Sequence, residues 1–324
     1  MKGFQLRTQS KVLALCLALA SVFFTSSCSK MGSTNQIRAT VFLLDASKST
    51  IASVSAREAQ LRERLASVFD VQEAIYFDFI RNNYSKQRIT PLISMQTIIS
   101  VEDYVLKDAL DEKVRKETKE LVSKVWALAM SDTTTPEACS SETTQLLKKS
   151  VLSDTGARTI SRNLCISAAK AKKALSDIRA IGSGQSLENS YIGSDIEGAF
   201  LRGLNLLESE SQNLLNSENL PVAVRAEIVI SSDMMQRGST GINVIDTIKN
   251  MTQDEVTEFV INSRGDQELR TFKPKVLIDG WLSTTRNFTD NERKLLENYW
   301  NTWFNTLDLI EPDFGLGLID WSVR

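Results

Sequence analysis

Four short runs set the fold class. Arg38 to Leu44 (RATVFLL), Ala74 to Ile80 (AIYFDFI), Arg225 to Ile230 (RAEIVI) and Lys275 to Ile278 (KVLI) are rich in β-branched and aromatic residues. Each is the length of a strand, and stretches long enough for helices separate them. Near-continuous apolar strands alternating with helices imply a mostly parallel sheet covered on both faces. The expectation is therefore an α/β fold, a doubly wound and mostly parallel Rossmann-like sheet. A further strand is expected over Arg88 to Gln96, where Pro91 marks an edge or a strand start. Asn82-Asn83 marks a turn before it.

Between the second and third of the long runs the texture changes. Val101 to Ala129, Glu142 to Leu152 and Ile160 to Ile181 read as helices, and Asp132 to Ser141 reads as a loop. This predicts a helical insertion over about 101–185. Helices are also expected from Ser53 to Phe69, with Arg57, Glu58, Arg62, Glu63 and Arg64 on its polar side. Others are expected over Asp195 to Leu215, Val244 to Met251 and Thr289 to Leu309. The last opens with a capping box, Thr289 followed three residues on by Glu292. Its stripe of Leu295, Leu296, Tyr299, Trp303 and Phe304 falls at helical spacing and is expected in the core.

The first residues read as an export signal. Lys2, Arg7 and Lys11 precede an almost continuously apolar run from Val12 to Phe24, too short to span a bilayer as a helix. Thr25-Ser26-Ser27-Cys28 resembles the bacterial lipobox, with Thr25 where that motif usually has Leu. The resemblance implies cleavage after Ser27 and lipid attachment to Cys28, on a protein of the bacterial cell envelope held at a membrane through several acyl chains. The segments expected are a signal peptide at 1–27, a tether at 28–36, the α/β domain at 37–310 and a C-terminal tail at 311–324. Loss of the signal takes the formal charge from −2 to −5. Such a chain offers no basic surface for nucleic acid. Of the four cysteines, Cys16 leaves with the signal and Cys28 carries lipid, so Cys139 and Cys165 are expected to pair in an oxidising compartment.

The chain contains no histidine. That removes Ser-His-Asp and Cys-His catalysis and imidazole-based zinc sites. Ligands in open parallel sheets gather beyond the carboxyl ends of the strands. That rule selects Asp45 and Asp233, each the first acidic residue after its strand. Ser47 and Ser49 follow Asp45 at alternate positions, and Ser194 opens the helix begun by Asp195. Two carboxylates and three hydroxyls suit Mg²⁺ first, with Mn²⁺ or Ca²⁺ as alternatives. Two anionic ligands leave a divalent cation able to accept a further carboxylate.

Three ordered segments carry a resemblance to the von Willebrand factor A (VWA) domain and its metal-ion-dependent adhesion site (MIDAS). Val41-Phe42-Leu43-Leu44-Asp45-Ala46-Ser47-Lys48-Ser49 is similar to the family's strand followed by D-x-S-x-S. Gly193-Ser194-Asp195-Ile196-Glu197-Gly198-Ala199-Phe200 is similar to its G-T-[DN] segment, with Ser in place of Thr. Ile228 to Met234 is similar to its strand followed by S/T-D. The resemblance covers about 37–100 and 185–310. It implies metal bound by Asp45, Ser47, Ser49, Ser194 and Asp233, and a protein ligand that donates a carboxylate. It implies a binding module rather than an enzyme.

Other readings compete. The same site could serve only to hold the fold of a structural envelope lipoprotein. An Asp after the first strand is also similar to haloacid-dehalogenase-type phosphatases, which carry a second Asp two residues on, where this chain has Ser47. Ser167-Ala168-Ala169-Lys170 matches the S-x-x-K of Ser/Lys acyl-enzymes, but no K-T-G follows it.

Overall fold

The computed structural model describes residues 35–46, 51–80, 89–131, 135–184, 195–215, 222–237, 242–264, 272–281, 288–309 and 312–314. The expected strands form one sheet. β1 (Asn35–Asp45) pairs in parallel with β2 (Glu73–Ile80) on one side and with β4 (Val222–Ser231) on the other. β7 (Lys275–Asp279) and β8 (Asp313–Phe314) extend the β4 side in parallel, and β3 (Thr90–Ile93) lies antiparallel outside β2. The order is β3-β2-β1-β4-β7-β8. Phe42 sits between Phe77 and Val229, and all three are buried. A separate two-residue pair joins β5 (Gln236–Arg237) to β6 (Ile242–Asn243).

Among the described residues the helices are α1 (Ile51–Ala66), α2 (Met95–Asp108), α3 (Glu112–Ser131), α4 (Pro136–Leu147), α5 (Asp154–Gly182), α6 (Ile196–Leu215), α7 (Val244–Ile248), α8 (Gln253–Arg264) and α9 (Asp290–Asn305). None is long and apolar enough to cross a membrane. The export signal, Cys28 and the Asn82-Asn83 turn lie outside the described residues.

Several boundaries differ from the sequence reading. β1 begins at Asn35, inside the expected tether, because its first residues pair with Val222 and Ala223. The third strand is only Thr90–Ile93: the Ser94 side chain accepts the Thr97 amide at 3.2 Å and starts α2 there. The charged stretch from 101 holds two helices. Asp111 separates them, its carboxylate accepting the Lys113 amide at 2.8 Å. Pro136, expected in a loop, opens α4 behind the N-cap Thr135. Helix α8 was not expected at all. Asp313–Phe314, placed in the tail by sequence, adds the last strand, and the Phe314 ring lies 4.6 Å from that of Trp281.

The largest correction concerns α1. Arg57 and Arg64 are not on a polar side; they are 0% and 1% exposed. They fall in the stripe Val54, Arg57, Leu61, Arg64, Val68 that faces the sheet. Arg64 donates to Glu73 through Nε (2.9 Å) and through its terminal nitrogen (2.6 Å), and that nitrogen lies 3.6 Å from Glu227. Thr40 donates to the same Glu73 at 2.6 Å, and the guanidinium stands over the Phe42 ring. Arg57 pairs with Asp279 at the end of β7. Outside this stripe Glu58 faces α5, accepting Arg179 at 2.8 Å, and this holds its carboxyl below the usual range.

Alternate strand residues point to opposite faces. Thr40, Glu227 and Asp279 meet α1, while Val41, Leu43 and Ile228 meet α6 at Gly203. A Cβ on Gly203 would stand 3.3 Å from Val41 and 3.7 Å from Ile228. Gly203→Val is therefore expected to lift α6 and cost about 1–3 kcal/mol of stability through overpacking. A urea midpoint equal to that of the parent would contradict this close approach.

The helical block α2–α5 contains the expected disulfide. Cys139 on α4 and Cys165 on α5 are bonded, with Cα atoms 6.0 Å apart. Beside them Thr143 and Ser161 share a hydrogen bond, and Ser161 also donates to the Ser140 carbonyl at 2.7 Å.

Candidate functional site

β1, β4 and β7 run parallel and end together, at Asp45, Ser231 and Asp279. Their last carbonyls and first loop residues therefore share one end of the sheet. Asp45 and Asp233 are 1% and 3% exposed there. Burying a carboxylate is costly unless it is hydrogen-bonded or meets a cation, so each position needs a local account.

Ser232 supplies part of it. Its hydroxyl donates to Asp45 Oδ2 at 2.8 Å, and its oxygen accepts the Met234 amide at 3.1 Å. The direction is fixed, because a backbone N–H can only donate. The Ser232 amide donates to the Asp279 carbonyl at 2.9 Å. Asp279 is itself held by Arg57. A chain of contacts thus runs from α1 through β7 and the β4 loop to the end of β1. Asp233 accepts the Met235 amide through Oδ1 at 3.0 Å.

Met234 takes a left-handed backbone conformation, φ 58°. An L side chain is strained there. Three bonds meet at this turn: the Met234 amide to Ser232, its carbonyl from the Trp300 indole at 2.9 Å, and the Met235 amide to Asp233. Helix α9 provides the indole. Trp300 is fully buried, with the Tyr299 and Trp303 rings at 5.1 and 5.8 Å. The core stripe expected from sequence is buried as a whole, with Phe200 of α6 stacked edge-on against Trp303 and Phe304.

Asp195 immediately precedes α6 and accepts the Gly198 amide at 3.2 Å. Burial pushes its carboxyl up, against that bond and the Arg202 charge. Arg202 itself is tied to Asp78 of β2 at 2.9 Å.

Of the sequence-selected ligands, the structure brings Asp45 and Asp233 to the same end of adjacent strands. Ser47, Ser49 and Ser194 lie outside the described residues. The flanking residues Ala46 and Asp195 are both buried. Among the described residues no group of three or more His, Cys, Asp and Glu forms a metal cluster. A set of two carboxylates completed by hydroxyls does not require one. The described side chains selected here, Asp45 and Asp233, offer oxygen donors, the kind a hard divalent cation takes.

Sequence reasoning did not single out Ser232, Arg57 or Trp300. Spacing carried a signal for Arg57, which occupies the apolar stripe of its helix. Trp300 carried none, since its role depends on a carbonyl more than 60 residues away.

The Ser167–Lys170 motif lines a cleft of about 170 Å³ with Pro91, Ser94, Thr97, Asn163 and Ile166. Lys170 is exposed there, while Ser167 is buried.

Comparison with protein-family models, with curated proteins and with solved structures gives no match.

Proposed function

We propose that this chain is an exported, lipid-anchored VWA-like module that binds a protein partner through a divalent cation. The observation that supports it is topological. From β1 the chain moves outward through β2 and β3, then returns to the other side of β1 through β4, β7 and β8. In a doubly wound sheet this makes the β1/β4 boundary the switch point, where a crevice opens beyond the strand ends. Asp45 and Asp233 flank that boundary, joined through Ser232. The residues that would hold the metal are Asp45, Ser47, Ser49, Ser194 and Asp233. Mg²⁺ is the first choice, and the acidic side chain of a partner would complete its coordination. The chain's own contribution is to bury two carboxyl groups at the ends of adjacent strands, one bonded by Ser232 and the other by the Met235 amide. That arrangement favours cation capture over acid–base chemistry.

Metal-dependent stabilisation tests this reading. At Mn²⁺ a hundredfold above its Kd, the gain is expected to be about 2.7 kcal/mol. For a chain of this size that raises the Tm by roughly 4 °C over EDTA. Asp45→Asn retains an acceptor for Ser232 and removes the charge, so its metal shift should vanish. Equal shifts in parent and variant would exclude the site. Capture of a partner that survives EDTA would favour a metal used only to hold the fold.

A further inference from the structure

We propose that Trp300 is the positioning residue of the candidate site. Its indole N–H holds Met234 in the left-handed turn whose amide meets Ser232, the residue that donates to Asp45. The inference deepens the metal-site reading and rests on it for its ligand, but not for its geometry.

The steps are physical. Ser232 reaches Asp45 while Asp233, the next residue, accepts the Met235 amide, so the chain turns sharply just after β4. The turn takes φ 58° at Met234, a conformation that glycine adopts freely and methionine does not. Something must therefore hold methionine there. The Met234 side chain is fully buried, which fixes its position but not the orientation of its peptide. Orientation comes from the two polar groups of that residue. Its N–H is spent on Ser232 and its C=O on Trp300, at 3.1 and 2.9 Å. The Ser232 bond is local and would swing with the turn. The Trp300 bond reaches to a different helix, so it ties the turn to a fixed frame. That frame is closely packed: the indole is fully buried, with the Tyr299 and Trp303 rings edge-on to it, and Trp303 is in turn packed against Phe200 of α6. The next peptide is anchored too, since the Met235 carbonyl accepts Val244 of α7 at 2.8 Å. Asp233 thus directly precedes two anchored carbonyls, those of Met234 and Met235.

A second buried tryptophan supplies a control. Trp126 of α3 donates its indole to the Leu65 carbonyl at 2.6 Å, in the helical block and α1 rather than at the site. Trp126→Phe removes the same kind of bond elsewhere. Both phenylalanine variants should lose stability, so stability alone decides nothing.

The test uses the full mature chain and two readouts. The first is Mn²⁺ affinity, read from free Mn²⁺ by electron paramagnetic resonance. Trp300→Phe should weaken it about fivefold, the worth of one neutral hydrogen bond, whereas Trp126→Phe should not change it. Adding Met234→Gly to Trp300→Phe should recover most of the loss, because glycine keeps the turn without help. The second readout needs no metal: hydrogen exchange at the Met235 amide, which donates to Asp233. Trp300→Phe should speed it about fivefold while amides of β1 stay protected, and Trp126→Phe should leave it alone. Unchanged Met235 exchange in Trp300→Phe overturns the proposal, as does a Trp126→Phe variant that weakens Mn²⁺ equally. A parent chain that binds no Mn²⁺ but shows the expected exchange pattern sinks the metal reading and leaves the positioning role standing.

Discussion

Arg64→Met is expected to cost about 3–5 kcal/mol, the usual penalty for breaking a buried ion pair from one side. A domain of ordinary stability holds roughly 5–15 kcal/mol, so the loss is a large share of the total. The size follows from what remains behind. Glu73 and Glu227 are 0% and 5% exposed and come from two different strands, and Arg64 lies between them. Methionine fills much of the same volume, so packing loss is small and the change is electrostatic. The diagnostic is a compensated variant. Arg64→Met with Glu73→Met and Glu227→Met removes the stranded charges and should regain most of the loss, since apolar replacement of a whole buried cluster is often neutral. Urea midpoints at constant slope would read both results. A single-variant loss under 1 kcal/mol would mean that the cluster is open to water.

Removing the Cys139–Cys165 bridge is expected to cost about 3.5 kcal/mol. The bridge closes a loop with a sequence separation of 26, and on the chain-entropy account that is what its loss returns to the unfolded state. Two measurements separate this from a packing effect. The double variant Cys139→Ala, Cys165→Ala loses the link and some buried volume. The reduced parent loses the link alone. Both should fall by a similar amount in urea, and the parent's midpoint should drop when reductant is added. An unchanged midpoint with reductant would show that the two thiols are not joined in solution. Both sulfurs are buried, so reduction should require prior opening and should be slow in the native chain.

The strand pattern was legible because a central parallel strand is buried on both faces and has nowhere to place polar residues. β1, β2, β4 and β7 all announced themselves that way. The same logic hid the charges that do enter the sheet. Glu73 and Glu227 are strand residues, and their presence among apolar neighbours implied a buried cation. Arg64, in a stripe with Val54, Leu61 and Val68, supplies it, and Arg57 of the same stripe meets Asp279. Helix α8 was missed although Thr252 and Glu255 form a capping pair like Thr289 and Glu292, the Thr252 amide donating to Glu255 at 2.7 Å. Its apolar residues are few, Val256 and Val260 being the buried ones, so periodicity gave little. The carboxylates of the candidate site were legible from their place after strands. The turn that orients them was not, because left-handed backbone at a methionine leaves no mark in composition.

The order of strands has a consequence for how the chain acquires its structure. β1 ends at Asp45 and its neighbour β4 starts at Val222, so the two longest strands of the sheet are far apart in sequence. Pairing across such a separation is slow, because loop closure is paid for before the contacts form. The helices between them make local contacts and can form first, with the Cys139–Cys165 link closing inside them. Until β4 arrives, one edge of β1 presents unpaired backbone and the apolar run Val41 to Leu44. Nascent or partly refolded chains should therefore associate through this strand, and refolding yield should fall with protein concentration while the final state stays the same.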